Sequence, residues 1–196
     1  IGLLYYFNLV QGEWFKEADA SVKSAAIQKL VPRALWWFRW AALLTFLSGA
    51  LILGLRGAAI SIDIVYGATL GTLMFLNVWL VIWPNQKMVI ASAMAVAGGG
   101  QALPEAAAAG AGALLASRSN VMFSIPMLFF MAASAHLPHG LASTASMPAL
   151  VVFLAIMAAL EFNALRGKLG PLATINGVLG AGGVLTLVLY LVLELL

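Results

Sequence analysis

The stretch Leu35-Trp36-Trp37-Phe38-Arg39 opens an apolar run that continues to Leu55, and its reading decides the fold. A helix needs about 20 mostly apolar residues to cross a hydrocarbon core of ~30 Å, and this run is long enough. Trp36, Trp37 and Trp40 gather at its start, where indole rings favour the headgroup boundary. Arg39 lies about one turn inside the run, where an ionisable side chain is costly unless it has a partner or a purpose. The remainder of the chain is therefore read for what meets Arg39.

Composition extends the membrane reading to all 196 residues, of which 63% are hydrophobic and 9% charged, with a mean hydropathy of +1.03. Soluble domains usually carry about a quarter charged residues. The expected fold is an all-α polytopic membrane protein, one integral domain over residues 1–196. It would have about six transmembrane helices near 1–11, 35–55, 64–83, 121–137, 147–165 and 171–195. The run Ile1 to Val10 covers only part of a span, so the first helix reads as truncated at its N-terminus. Segments 12–33 and 88–119 read as interfacial: the first alternates charged and apolar residues at helical spacing, and the second is rich in alanine and glycine. The lipid bilayer is thus the first expected partner.

The ten Lys and Arg residues fall between the apolar runs instead of in one patch, which argues for topology and against a nucleic-acid partner. Lys16, Lys23, Lys29, Arg33, Arg39, Lys87, Arg118, Arg166 and Lys168 fall on one side, and only Arg56 on the other. Positive charge concentrates on the cytoplasmic side, so the expected location is a bacterial inner membrane with the C-terminus outside the cytoplasm. The chain has no cysteine. It therefore carries no covalent c-type haem of the Cys-x-x-Cys-His kind, no thiolate metal cluster and no disulfide.

With this topology Arg39 and Glu161 lie at similar depth near the cytoplasmic ends of their spans. Asn8, Asn77 and Ser124 fall in the same leaflet. One reading is a polar cluster that holds a small anionic or hydrogen-bonding ligand, with Arg39 as the anchor and Glu161 and Asn77 orienting it. The other is that Arg39 and Glu161 neutralise each other and pin two helices together, or that Arg39 snorkels to the headgroups.

The two histidines, His136 and His139, stand at the opposite end of the fourth span. Neutral imidazoles there are candidate haem or metal ligands, which leaves haem b open as a cofactor, and they also read as a hydrated pair flanking Pro138. Asp63 faces the same side and reads as a helix cap or interface residue. Gly67 and Gly71, spaced by three residues, and Gly177 and Gly180 in the last span are candidates for close helix packing. Pro126 is expected to kink or loosen the fourth span. There is no phosphate-cradling glycine loop, zinc-type spacing or nucleophile elbow.

Four separated motifs carry a resemblance: Ile1-Gly-Leu-Leu-Tyr-Tyr-Phe-Asn8, Trp37-Phe-Arg-Trp40, Asn77-Val-Trp-Leu-Val-Ile-Trp-Pro-Asn-Gln-Lys87, and Ser117-Arg-Ser-Asn120 with Ser124-Ile-Pro-Met-Leu-Phe-Phe-Met131. In this order they resemble the membrane domain of the bacterial urate hydroxylase family, the urate oxidase N-terminal domain. The resemblance covers roughly residues 1–131 and looks like a short, cytochrome-free form. It implies redox-linked oxidation of urate or a similar purine, with electrons leaving to a separate c-type cytochrome. Arg39, Asn77, Asn85, Gln86 and Glu161 would be the substrate contacts. The scarcity of histidine and lack of cysteine suit a second reading, a non-catalytic accessory subunit packed against other membrane subunits of a larger complex.

Overall fold

Backbone polar groups have no water to bond inside a bilayer, so a chain this apolar satisfies them within helices, and helices are nearly all that forms. The computed structural model describes residues 1–137, 139–142 and 145–196. The only bridge among the described residues is an isolated antiparallel pair, Ser61 with Leu141.

Helix α1 covers residues 2–17, with a π-helical stretch at Tyr6–Gln11, and α2 covers Ala20–Lys29. Helices α3 (Val31–Arg56), α4 (Ile62–Ala97), α5 (Ala106–His136), α6 (Met147–Arg166) and α7 (Ile175–Leu195) are each long and apolar enough to cross a membrane. A second π-helical stretch, Asn77–Ile82, lies inside α4. The chain thus has the all-α polytopic fold that its composition implies.

Helix α5 is the axis of the bundle: α1, α4, α6 and α7 all pack on it. Its neighbours fit through small residues. Gly67 and Gly71 of α4 face Met131 and Met127 of α5, and Gly182 of α7 sits against Ile125 and the Met122 carbonyl. That carbonyl is the one Pro126 leaves without an N–H donor, because proline at position i cannot bond the carbonyl at i−4. Helix α5 nevertheless runs through Pro126 without a break, supported there by α7.

Two segments differ from expectation. Residues 88–119 are not a separate interfacial segment: 88–97 complete α4 and 106–119 begin α5. At ~1.5 Å per residue α4 is about 54 Å long, well beyond a ~30 Å core, so the ends of α4 and α5 project together as a helical hairpin. Alanines favour helix, and Gly110 and Gly112 let the two helices approach closely, meeting Val89 and Asn85. The turn forms at Gly98-Gly99-Gly100, where Gly99 has φ +83°. Segment 12–33 is also divided. Residues 12–17 extend α1, the chain becomes extended at Ala18, and Pro32 lies in the first turn of α3, where its missing N–H costs nothing.

Candidate functional site: a polar layer inside the bundle

Ser117, Asn120 and Ser124 recur at i, i+3 and i+7 on α5 and so share one face. Ser119, Asn120 and Ser124 are all at most 1% exposed. Each member of the stripe reaches a different segment. Asn8 Nδ2 of α1 donates to Ser117 Oγ at 2.7 Å, and Asn77 Nδ2 of α4 donates to Asn120 Oδ1 at 3.0 Å. The hydroxyls of Tyr5 and Ser124 lie 3.0 Å apart. Asn77 Nδ2 also donates to Glu161 Oε2 of α6 at 3.2 Å, so four helices meet at the layer.

Both π-helical stretches border on this layer, and the reason is local. A π turn shifts the backbone ladder by one residue and changes the pairing of carbonyls around it. Near the first stretch, Asn8 Nδ2 takes the Leu4 carbonyl at 2.8 Å. Near the second, Asn120 Nδ2 takes the Met74 carbonyl at 2.9 Å. In each case a buried asparagine amide donates to a backbone carbonyl beside the π turn, while a second bond of the same side chain ties two helices together. Buried polar groups carry such partners because leaving one unmet costs about 1–3 kcal/mol.

Arg39 stands apart from Glu161. Its guanidinium carbon lies 3.8 Å from the ring centroid of Trp83, and Lys87 Nζ approaches the same ring at 5.6 Å. Trp83 is six residues beyond Asn77 on α4, roughly 9 Å further toward the basic end of the bundle. The Arg39–Glu161 pairing expected from their common depth is therefore replaced by two separate contacts: a cation on an indole and a carboxylate on an amide. Arg39 Nε and Nη1 are covered and have no hydrogen-bond partner among the described residues. Arg118 is similar: it is 4% exposed, one nitrogen lies 3.3 Å from Glu13, and Nε and Nη1 have no acceptor among the described residues. The Lys16 hydrogen bond, at 2.6 Å, holds the Glu13 carboxyl below its ordinary range against a smaller opposing effect of burial, and Arg118 adds to the lowering.

The other expected residues spread out. Asn85 packs against Gly112 and lines a shallow cleft with Pro84, Met88, Glu105, Ala108 and Ala109. Gln86 is partly exposed beside it on the same helix. Gly177 closes on the Thr174 side chain and the Pro171 carbonyl, so it serves the turn before α7. A methyl group added at Gly180 would meet no other part of the protein within 4 Å, and the glycine of α7 that packs against α5 is Gly182. Asn120, Ser117 and Tyr5 belong to the layer although depth alone did not pick them out. For Ser117 and Asn120 the signal was the spacing on α5; Tyr5, on α1, had none.

At the other end, His139 is not free to hold a metal. Nδ1 lies 2.7 Å from Asp63 Oδ1 and Nε2 lies 3.1 Å from Glu194 Oε1, so both ring nitrogens are engaged. His136 is exposed at the end of α5. Axial haem ligation needs a ring nitrogen directed at iron, and neither ring nitrogen of His139 is free for it in this arrangement. No group of three potential ligands suited to a metal ion occurs among the described residues. Asp63 is not the helix cap either: Ser61 Oγ accepts the Ile64 N–H at 3.3 Å and takes that role. Pro138, which was expected to separate the histidines, lies outside the described residues.

A bundle of apolar helices enclosing a layer of amides, hydroxyls and one carboxylate defines a multi-pass membrane protein with a polar interior. A family model described as Urate oxidase N-terminal matches residues 55–189. The chain belongs to that family. No curated protein and no solved structure matches it.

Proposed function

We propose that the chain is the membrane part of a redox system that oxidises a purine-like substrate such as urate, with electrons passing to a separate c-type cytochrome. The observation that carries this reading is the Asn77–Asn120–Glu161 triple, set beside a π turn in a protein of the urate oxidase N-terminal family. π turns are frequent at functional sites, and an oxidised purine presents alternating donors and acceptors around a flat ring. Amide side chains can both donate and accept, so Asn77 and Asn120 suit its edge, while Glu161 is placed to take a proton. Arg39 and Arg118, with donors unmet inside the chain, favour negative charge at the same end. The basic end faces the cytoplasm of a bacterial inner membrane in this reading, and the C-terminus faces outward.

The test is urate-dependent reduction of added c-type cytochrome by membranes containing the chain, compared with Glu161→Gln. Reduction that falls sharply in the variant supports the proposal. A second reading, an accessory subunit of a larger membrane complex, is favoured by α3: only 6% of its apolar stretch is buried, and a methyl group added at Gly49 or Gly54 would meet no other part of the protein within 4 Å. A chain that shows no urate-dependent electron transfer and purifies stoichiometrically with other subunits would decide for that reading.

A further inference from the structure

The start of α4, the loop after α5 and the end of α7 meet at the end of the bundle opposite the basic residues. Asp63 is 0% exposed there, an unusual position for a carboxyl in so apolar a chain. Its Oδ1 lies 2.7 Å from His139 Nδ1, and its Oδ2 is covered and has no partner among the described residues. The His139 side chain is 8% exposed, and its Nε2 lies 3.1 Å from Oε1 of Glu194, which is 42% exposed. Water, an exposed carboxylate, an imidazole and a buried carboxylate are thus arranged in series. Tyr190 lies beside the imidazole with its ring centroid 5.7 Å away.

We propose that Glu194, His139 and Asp63 form a proton-transfer site that connects water at this end of the bundle with the buried carboxyl of Asp63. An imidazolium between two carboxylates donates one N–H to each. Transfer breaks the Nδ1–H bond and forms an O–H bond on Asp63, leaving a neutral ring protonated on Nε2. After the ring turns over, the vacated nitrogen takes a proton from water by way of Glu194, and the imidazolium is restored. One proton leaves the water and one arrives on Asp63. Imidazole suits this role because each nitrogen can carry the proton in turn.

The surroundings isolate the path. From α4 Tyr66 faces Asp63, and its hydroxyl is already donated to the Ala149 carbonyl of α6 at 3.3 Å. From α7 the facing groups are Tyr190 and Glu194. Phe130 of α5 and Phe153 of α6 pack around Tyr66 and bring no charge. Arg56 and His136 stand exposed at this end. Burial alone would lower the His139 pKa, but the hydrogen bond and charge of Asp63, followed by those of Glu194, outweigh it and raise the value above the ordinary one.

Infrared spectroscopy of the chain in nanodiscs after an acid jump tests the site. A protonated-carboxyl band is expected to rise in the unsubstituted protein and to be missing in Asp63→Asn. His139→Gln should slow its rise by about a hundredfold, the scale of a lost proton donor, and Glu194→Gln should slow it by a smaller factor. Glu194 is exposed, so that variant carries the test if His139→Gln does not fold. A band that is independent of Asp63, or that rises at the unsubstituted rate in Glu194→Gln and His139→Gln, would overturn the proposal.

Discussion

The two ends of the bundle solve the same problem, polar groups buried among apolar helices, by different chemistry. Toward the basic end the layer is built mainly from neutral amides and hydroxyls, each bonded across helices: Asn8 to Ser117, Asn77 to Asn120, Tyr5 with Ser124. At the opposite end an imidazole joins two carboxylates, Asp63 and Glu194. Neutral hydrogen bonds hold helices in register with little response to pH. Ionisable groups in contact make the same task depend on protonation. The difference sets a layer held mainly by neutral hydrogen bonds against a cluster whose bonding depends on protonation.

The contrast can be broken most severely at Asn120. Asn120→Leu leaves the Met74 carbonyl and an Asn77 amide hydrogen unmet inside the bundle, and we expect a loss of about 2–4 kcal/mol at every pH, read as a fall in thermal midpoint in detergent. Gly182→Val, placed between the two regions, drives a branched side chain into Ile125 and the Met122 carbonyl. A loss of about 1–3 kcal/mol is expected from overpacking, whereas Gly180→Ala two positions away should leave the midpoint unchanged.

A third substitution sharpens the contrast through pH. The folded-state pKa of His139 is raised, so its contribution to stability is fully present below the unfolded value of about 6.5 and is lost as pH rises through the folded value. The thermal midpoint should therefore decline with rising pH over that window in the unsubstituted protein. Asp63→Asn should flatten the decline, and Asn120→Leu should leave its slope intact. The smallest effect is expected at Arg39→Gln, which removes a cation from the face of Trp83. A loss of about 0.5–2 kcal/mol is expected, with no added effect of Glu161→Gln beyond the sum of the two.

Much of the fold was legible because hydropathy and length dictate it. The runs beginning near Leu35, Ile64, Val121 and Met147 lie in long apolar helices, and the last run does so from Ile175 onward, after a short 3-10 turn at Gly170–Ala173. The ends were less legible. Alanine-rich residues 88–119 are apolar and helix-favouring without a periodic face, and only the packing of Gly110 and Gly112 on α4 makes them a continuation of two long helices. In the site, Asn77 and Glu161 share a leaflet and a hydrogen bond, but depth says nothing about azimuth around a helix. Arg39 therefore faces Trp83 and not Glu161. The π stretches were invisible because their sequences, Tyr-Phe-Asn-Leu-Val-Gln and Asn-Val-Trp-Leu-Val-Ile, read as ordinary apolar helix. Asp63 and His139 are 76 residues apart, and a loop histidine carries no periodicity that could have linked them.

The central claim is that the amide layer around Asn77, Asn120 and Glu161 is a substrate site as well as a helix joint. Equilibrium binding of urate to the chain in nanodiscs tests it most directly, measured for the unsubstituted protein and for Glu161→Gln, whose thermal midpoint serves as the control for folding. Saturable binding that weakens by about tenfold or more in a variant that remains folded is the expected result, equivalent to loss of about 1.4 kcal/mol of contact. Binding that is absent from the folded protein, or unaltered by Glu161→Gln, would contradict it and leave the layer as a structural joint alone.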